Sequence, residues 1–274
     1  MELSPIGIVR SRLCSRSDMP VQGIAAEIEI FPDYASALSG IEENSHLILI
    51  CWLHEADRTV LEAVARKVSP DLPRKGVFSL RSPERPNPLS VSVVRLRGIR
   101  EGRILELENV DVIDNTPVID IKPYQTGWDC VFSATGHDRT EKIRKMGAGE
   151  YRAGLIREAV NYHGELCSGV AVGVRLAEAA MRIFGRDLAS PQVSVAPGPD
   201  PCIADALIGI TGASPGNRRL GRSGGDRYVL SCSGKEAVFL LRDVPESVDA
   251  ILAADEASLF DCTVRSRPQK VEKR

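Results

Sequence analysis

Hydrophobic and polar positions follow two different patterns along the chain. The first 124 residues carry short apolar runs, rich in β-branched residues and separated by Gly, Pro and Asn, as is typical of strands joined by turns. One interruption, residues 57–67, repeats apolar residues at helical spacing and predicts a helix. Strands are predicted at residues 6–9, 24–30, 47–53, 77–78, 89–96, 104–107 and 110–113. The first half is therefore predicted to be an all-β domain, an antiparallel barrel or a sandwich.

The second half has helical periodicity. Apolar residues recur at helical spacing after Cys167, and Gly185 stands where that helix can end. Another helix is predicted to begin at Pro201 and to continue through Ile210. Strands at 228–231 and 237–241 are predicted to pair antiparallel. This half is therefore predicted to be an α+β domain.

The change of pattern also predicts the domain boundaries. Residues 127–149 carry charges and glycines without apolar periodicity, and they predict a linker between a domain at 1–126 and a domain at 150–265. Residues 266–274 form a basic tail, which is predicted to be solvated. A chain of 274 residues can hold two such domains.

Composition excludes several classes of protein. With 43% hydrophobic and 26% charged residues, the chain is not a disordered one. The formal net charge of -2 gives no strong overall attraction for polyanions. The most apolar run, 47–53, is far shorter than the roughly 20 residues of a membrane span, and the N-terminus lacks a secretion signal, so a cytoplasmic location is predicted. Seven cysteines without a CxxC pair argue against a disulfide framework.

Residues 76–88, GVFSLRSPERPNP, form a dense loop between predicted strands. Its prolines restrict the backbone, so Arg81, Arg85 and Asn87 are expected to be held as a rigid set of donors. Guanidinium groups in such a loop suit recognition of a carboxylate or a phosphate. The alternative is a turn whose arginines only cover the surface.

Residues 109–124 place three aspartates among aliphatic residues. A buried carboxylate must be paired or hydrogen-bonded, so Asp111, Asp114 and Asp120 are candidates for a site. The structural alternative is that Asp114 makes a turn and that Asp120 pairs with Lys122.

A third candidate site lies in the second half. His163 and Cys167 flank a short turn that contains glycine, and Cys202 and Asp205 lie three positions apart on one helix face. Nitrogen, sulfur and oxygen donors of this kind suit a zinc ion. Two alternatives are a reactive thiol at Cys167, at the start of a helix, and a chance spacing with no ligand.

The first half resembles the TrmO (YaeB-like) family of S-adenosylmethionine-dependent tRNA methyltransferases. The matching stretches are IGIVRS, SHLILICWLH, GVFSLRSPERPNP and DVIDNTPVIDIKPY. The resemblance implies a small β-barrel that forms a homodimer through this domain, with S-adenosylmethionine bound near the interface between the two copies. The chain correspondingly lacks the glycine-rich strand-to-helix fingerprint of Rossmann-type enzymes.

The resemblance also implies which residues bind the methyl donor. Gln22 and nearby backbone groups are expected to read the adenine edge, Leu53 and Val91 to pack on its faces, and Arg81 to bind the methionine carboxylate. Asp111 is expected to bind ribose hydroxyls. His54 is implied to bind the methyl donor, and the alternative is that it is an ordinary histidine at the end of a strand. The full set implied is Pro20, Val21, Gln22, Leu53, His54, Arg81, Val91, Asn109, Val110, Asp111 and Val112.

Methyl transfer from a sulfonium is an in-line displacement that mainly needs an aligned acceptor. If the acceptor is an amine, a base can remove its proton, and Asp114, Asp120 and Tyr124 are the candidates. Leu89-Ser90 and Ser79-Leu80 differ from the usual family residues and alter the wall of the donor pocket.

The second half resembles the FmdE family, whose name comes from formylmethanofuran dehydrogenase. The matching stretches are HGELCSG, VAVGVRLAEAAM and CIADALIGITGASPGNRRL. The resemblance implies a metal ion, zinc being the candidate, bound by His163, Cys167 and Cys202 with Asp205 as a neighbour. Glu165 and Ser168 stand where the family pattern has a second histidine and a proline.

Three functions remain open at this point. The first is methylation of N6 of a modified adenosine beside the anticodon of tRNA. The second keeps the methyl donor but takes a small molecule or a metal-bound ligand, presented by the FmdE-like domain, as acceptor. The third is a non-catalytic sensor of S-adenosylmethionine and metal. The near-neutral charge counts against tRNA, although two arginine clusters could supply a basic surface: Arg95, Arg97, Arg100 and Arg103, and Arg218, Arg219 and Arg222.

Overall fold

The computed structural model describes residues 2–66, 69–134 and 139–266. The chain divides into two compact units between residues 134 and 135. Among the described residues, no helix is both long enough and apolar enough to cross a membrane.

The first unit is a closed barrel. Six antiparallel strands close it in the order β1-β2-β7-β6-β3-β8, while β4 and β5 pair with each other outside it. Side chains alternate along β3, with Leu47, Leu49 and Cys51 buried inside. The predicted all-β barrel is confirmed. Its strands are β1 (Gly7–Arg10), β2 (Ile24–Ile30), β3 (His46–Trp52), β4 (Glu62–Ala63), β5 (Lys75–Gly76), β6 (Leu89–Arg100), β7 (Ile104–Val110) and β8 (Pro117–Pro123).

The second unit packs helices against an antiparallel sheet of four strands, ordered β12-β11-β10-β9. The predicted α+β class is confirmed, as are the helix after Cys167, the helix at Pro201 and the antiparallel strand pair. After α1 (Thr126–Asp129) in the first unit, the elements are α2 (Thr140–Arg144), α3 (Ala148–His163), α4 (Ser168–Phe184), β9 (Val193–Ala196), α5 (Pro201–Thr211), β10 (Arg227–Cys232), β11 (Lys235–Leu241), α6 (Val248–Ala253), α7 (Glu256–Leu259) and β12 (Phe260–Ser266).

Helices α4 and α5 approach each other closely because α4 has glycines at the contact. A Cβ atom on Gly173 would lie 2.5 Å from the Cβ of Ala206, and one on Gly169 would lie 2.6 Å from the Cβ of Cys202. Any side chain at these positions would force the helices apart. The two glycines therefore bring the beginning of α5, with Cys202, against the beginning of α4.

Three predicted elements of the first unit are wrong. The strand predicted at 110–113 is absent, because β7 ends at Val110 and residues 111–113 leave the sheet. Residues 57–66 contain no helix: the Asp57 carboxylate binds the backbone N–H of Thr59 at 2.8 Å, and β4 follows. The apolar residues that suggested a helix form no buried face: Leu61 is 64% exposed, and Val60, Val64 and Ala65 are only half-buried. Residues 77–79 form a single 3₁₀ turn instead of a strand. The predicted helix ends at Lys67, which lies outside the described residues.

The packed part of the second unit begins within the segment predicted as a linker. Arg139 Nε lies 2.9 Å from the Asp187 carboxylate, and Arg139 also pairs with Glu158. Ile143, on α2, is buried in the core of this unit. Residues 135–138 of the predicted linker and 267–274 of the predicted tail lie outside the described residues.

We predict that Gly173→Ala destabilises the second unit by about 1–3 kcal/mol, because the new methyl group overpacks the contact between α4 and α5. Gly154→Ala is the matched control, since a Cβ there meets nothing within 4 Å and should stabilise α3 by up to about 1 kcal/mol. Scanning calorimetry of the intact chain should show opposite shifts in the transition of the second unit. Similar shifts for both variants would contradict the packing described.

Candidate functional site

The turn before β2 and the end of β7 contact each other through their backbones. Gly23 and Asn109 both have positive φ, 75° and 63°. A Cβ on Gly23 would lie 2.7 Å from the carbonyl carbon of Asn109, so only glycine allows this approach. The Asn109 side-chain amide donates to the Gln22 carbonyl at 3.4 Å. Two predicted donor-binding segments, 20–22 and 109–112, therefore lie side by side.

Asp111 connects this region to β6. Ser92 Oγ donates to Asp111 Oδ1 at 2.5 Å. Among the described residues, the other carboxylate oxygen of Asp111 has no hydrogen-bond partner, so it can accept from a ligand hydroxyl. Val91, the residue before Ser92, faces the outside of the barrel and is 52% exposed. The hydrogen bond to Ser92 therefore fixes Asp111 beside β6, although the side chains of Ser92 and Val91 point to opposite faces of that strand.

The end of β3 is attached to the proline-rich loop. The backbone N–H of Leu53 donates to the Pro88 carbonyl at 2.7 Å. His54 follows directly and is exposed. This contact places the predicted donor residues Leu53 and His54 where the loop joins β6.

Two arginines of this loop have different surroundings. Arg85 donates to three carbonyl oxygens of its own loop, those of Val77 (3.3 Å), Leu80 (2.8 Å) and Ser82 (3.0 Å). Arg81 is exposed and has no hydrogen bond or ion pair within the part of the chain that the structure describes. Arg85 therefore holds the loop, and the guanidinium of Arg81 remains available for a ligand.

Glu84 is a residue that the sequence reasoning missed. Its carboxylate accepts from Arg16 Nη2 at 2.7 Å and from the backbone N–H of Asp57. Arg16 also donates to the Glu55 carbonyl at 3.1 Å. Glu84 thus connects the segment before Pro20, the turn after His54 and the loop that carries Arg81. Arg16 and Glu84 are 68 positions apart, so no local pattern indicates their pairing.

The three candidate bases have structural partners or an unsuitable protonation state. Asp114 accepts from the backbone of Ser11 and from its neighbour Asn115, and Asp120 forms an ion pair with Lys122 at 2.7 Å. Burial and a hydrogen bond with Cys130 raise the pKa of Tyr124, so its phenol is protonated at neutral pH. The contacts favour the turn and the ion pair, and a catalytic role for these residues stays a prediction.

The predicted metal ligands of the second unit converge. One ligand atom each from His163, Cys167 and Cys202 lies within 4.8 Å of the other two. His163 Nε2 is 3.5 Å from Cys167 Sγ, while its Nδ1 is 3.0 Å from the Asp205 carboxylate. A carboxylate on the far nitrogen orients the ring and is typical of metal-bound histidine. One nitrogen and two sulfur atoms suit zinc, so the residues fit that ion.

Cys51, which lies outside the cluster of His163, Cys167 and Cys202, has different surroundings from Cys202. Burial raises the pKa of Cys51 to about 12, which makes this thiol unreactive at neutral pH. Burial and the hydrogen bond with Cys167 raise the pKa of Cys202. A bound cation would have the opposite effect on Cys202, because it stabilises the thiolate.

We predict that Glu84→Ala loosens the segments that this carboxylate connects. Losing its two hydrogen bonds should speed backbone amide exchange about threefold to tenfold at 14–18, 54–57 and 81–88. Hydrogen-exchange mass spectrometry measures this directly. Glu62→Ala, which removes only an exposed pair with Arg74, is the control and should leave these segments unchanged. Unchanged exchange in Glu84→Ala would show that the carboxylate does not hold them.

Comparison with known proteins gives two family matches. Residues 8–130 match the model of the tRNA-methyltransferase O N-terminal domain. Residues 162–268 match the model described as FmdE, molybdenum formylmethanofuran dehydrogenase operon. The two matches fall in the first and second units, in the order that the sequence predicts.

Individual relatives agree with these matches. An "S-adenosyl-L-methionine-binding protein" of Archaeoglobus fulgidus is 40% identical over 140 residues, which are 50% of this chain and 98% of the relative. A second protein of that organism, named "Probable S-adenosyl-L-methionine-binding protein", is 34% identical over 232 residues, 80% of this chain. The chain spans 60% of the length of this second relative.

A solved structure of TrmO from Pseudomonas aeruginosa is similar at a TM-score of 0.41 and 21% identity, over 90% of this chain and 94% of that one. The likeness in structure is distant, and the family membership rests on the matches in sequence. The chain belongs to the TrmO-like family of S-adenosylmethionine-binding proteins, and its second unit matches the FmdE domain.

Proposed function

We propose that this protein transfers a methyl group from S-adenosylmethionine to N6 of a modified adenosine beside the anticodon of tRNA. One observation carries the donor half of this proposal: Glu84 connects the segments next to Pro20, His54 and Arg81, all of them predicted to bind the donor. The family match supports the tRNA acceptor.

The polar groups of the site suit the donor. Arg81, which has no partner among the described residues, would bind the methionine carboxylate through its guanidinium. The second oxygen of Asp111 would accept from a ribose hydroxyl. The backbone of the turn 20–22, held against Asn109, would read the adenine edge. Arg81 and Asp111 thus offer S-adenosylmethionine polar groups that have no partner among the described residues.

The chemistry needs little from the protein beyond alignment. The acceptor nitrogen forms a bond to the methyl carbon as the carbon–sulfur bond breaks, and the bonding electrons return to sulfur. The nitrogen then loses a proton to water or to a base. Holding the nitrogen in line with that bond is the main contribution of the site.

We propose that a second copy of the chain covers the outer face of β3 and β6. Val91 and Val93 are 52% and 37% exposed, and in the register they stand opposite Ile50 and Ile48. An exposed apolar face on a barrel is typical of a protein interface. Because Val91 is itself a predicted donor contact, this arrangement would place the donor at the boundary between the two copies.

A second candidate acceptor is favoured by the pairing of the arginines in the first unit. Arg97, Arg100 and Arg103 form ion pairs with Glu108, Glu27 and Glu29 at 2.7, 2.6 and 2.9 Å. These pairs neutralise much of the basic surface that tRNA would need. The alternative is methyl transfer to a small molecule or a metal-bound ligand presented by the FmdE domain.

We also propose that the FmdE domain binds zinc through His163, Cys167 and Cys202, with Asp205 orienting the histidine. Bound zinc would supply a Lewis acid at this position. The close approach of α4 and α5 at Gly169 brings the two thiols together.

We predict that Cys202→Ala lowers the zinc content of the purified protein from about one ion per chain to a small fraction, because a tetrahedral site with three protein ligands loses one of them. Elemental analysis measures it. Cys262→Ala removes an exposed cysteine of the same unit and should retain the metal. Equal zinc content in the two variants would eliminate the site.

We predict that the protein incorporates label from methyl-labelled S-adenosylmethionine into total tRNA. Arg81→Ala should lower the rate at limiting donor by about tenfold or more, since a charge-assisted contact to the carboxylate is lost. Scintillation counting of the RNA fraction measures both. Glu62→Ala, which removes only an exposed ion pair with Arg74, is the control and should keep the wild-type rate. Label that stays out of the RNA would contradict the tRNA acceptor and leave the second candidate.

A further inference from the structure

The second unit has a groove on the face of its sheet that points away from the core. Tyr228, Leu230 and Cys232 of β10 point into the core, whereas the alternate residues Val229 and Ser231 line the groove. Its volume is about 370 Å³. The loop 218–224 forms one wall, and Ala196 and Ser194 of β9 complete the floor.

The wall is fixed to the sheet by backbone and side-chain contacts. Leu220 pairs in parallel with Val195, whose N–H and carbonyl bond to Arg219 and Gly221 at 2.7 Å each. The guanidinium of Arg219 donates to three carbonyl oxygens, those of Ser190, Val193 and Gly212. Arg219 is therefore used in holding the loop, and residues 219–221 of the wall are attached to the sheet.

Two other arginines are available at one end of the groove. Arg227 uses its Nε to bind the Gly224 carbonyl at 3.2 Å, which leaves its terminal nitrogens free to bind a ligand. Arg222 has no hydrogen bond or ion pair to any described residue. Because the loop runs parallel to β9, and β9 is antiparallel to β10, Arg222 lies at the level of Arg227.

The opposite end carries both signs of charge. Ser231 Oγ donates to the Glu236 carboxylate at 3.4 Å, and Arg218 lies on the wall toward this end. Ser231 is four residues along β10 from Arg227, which corresponds to about 13 Å. Val229 lies between them. The groove thus runs from a basic end, across an apolar patch, to an end where Arg218 stands with hydroxyl and carboxylate acceptors.

We propose that this groove binds a small phosphorylated molecule of about the size of a nucleoside monophosphate. Guanidinium groups such as those of Arg222 and Arg227 bind phosphate in a bidentate way, and the volume is that of a small-ligand site. Glu236 would accept from a hydroxyl or amino group of the ligand. The volume is that of one small ligand, so a continuous nucleic-acid backbone fits less well. The groove shares no residue with the predicted donor or metal sites.

The test uses the intact protein with saturating S-adenosylmethionine, so that the donor site is occupied. Calorimetry with the four ribonucleoside 5′-monophosphates, and with their unphosphorylated nucleosides, should show binding of at least one monophosphate and binding of its nucleoside that is weaker by about tenfold or more. Arg222→Glu should weaken monophosphate binding by about tenfold or more and keep the affinity for S-adenosylmethionine. Arg186→Glu, in the turn after α4 and outside the groove, should change neither.

Three results would overturn the proposal. One is that none of the four monophosphates binds. Another is that binding is equal in wild type and Arg222→Glu. The last is that tRNA binds in an Arg222-dependent way while monophosphates do not, which would make the groove a nucleic-acid surface. Each leaves the affinity for S-adenosylmethionine intact, so a failure here is distinguishable from a failure of the proposed methyltransferase.

Discussion

The predicted donor site depends on the Glu84 carboxylate. The barrel fixes the strand ends, but the segments around Arg16, His54 and Arg81 extend beyond it and bury few apolar side chains. Ordering such segments costs conformational entropy that the core does not offset. Charge-assisted hydrogen bonds at Glu84 connect these three segments to one another. The backbone contact between Gly23 and Asn109 joins the turn before β2 to the end of β7.

The FmdE unit brings its ligands together by a different means. There the side chains come from helix termini, and glycines at 169 and 173 let α4 and α5 approach until the thiols are near each other. Helical packing fixes this geometry, and α4 also carries a buried ion pair between Arg175 and Glu178. Each unit has paired and unpaired arginines: Arg97 pairs with Glu108 and Arg139 with Asp187, whereas Arg81 and Arg222 have no partner among the described residues.

Regular elements could be predicted because their side chains follow the period of the element. Buried residues alternate along β3, and α4 and α5 begin with residues that cap a helix, Cys167 and Asp200. Residues 57–66 misled the prediction because the Asp57 backbone and side chain bond elsewhere, to Glu84 and Thr59. The motifs indicated Arg81 and the metal ligands, but the partners of Glu84 are too distant in sequence to be found.

We propose that the barrel and its connected loops form a binding site for S-adenosylmethionine. Titration calorimetry of the intact wild-type protein with S-adenosylmethionine tests this proposal. We expect saturable binding with about one donor molecule per chain. A folded protein that releases or absorbs no heat of binding, and retains no donor in equilibrium dialysis, would contradict the claim.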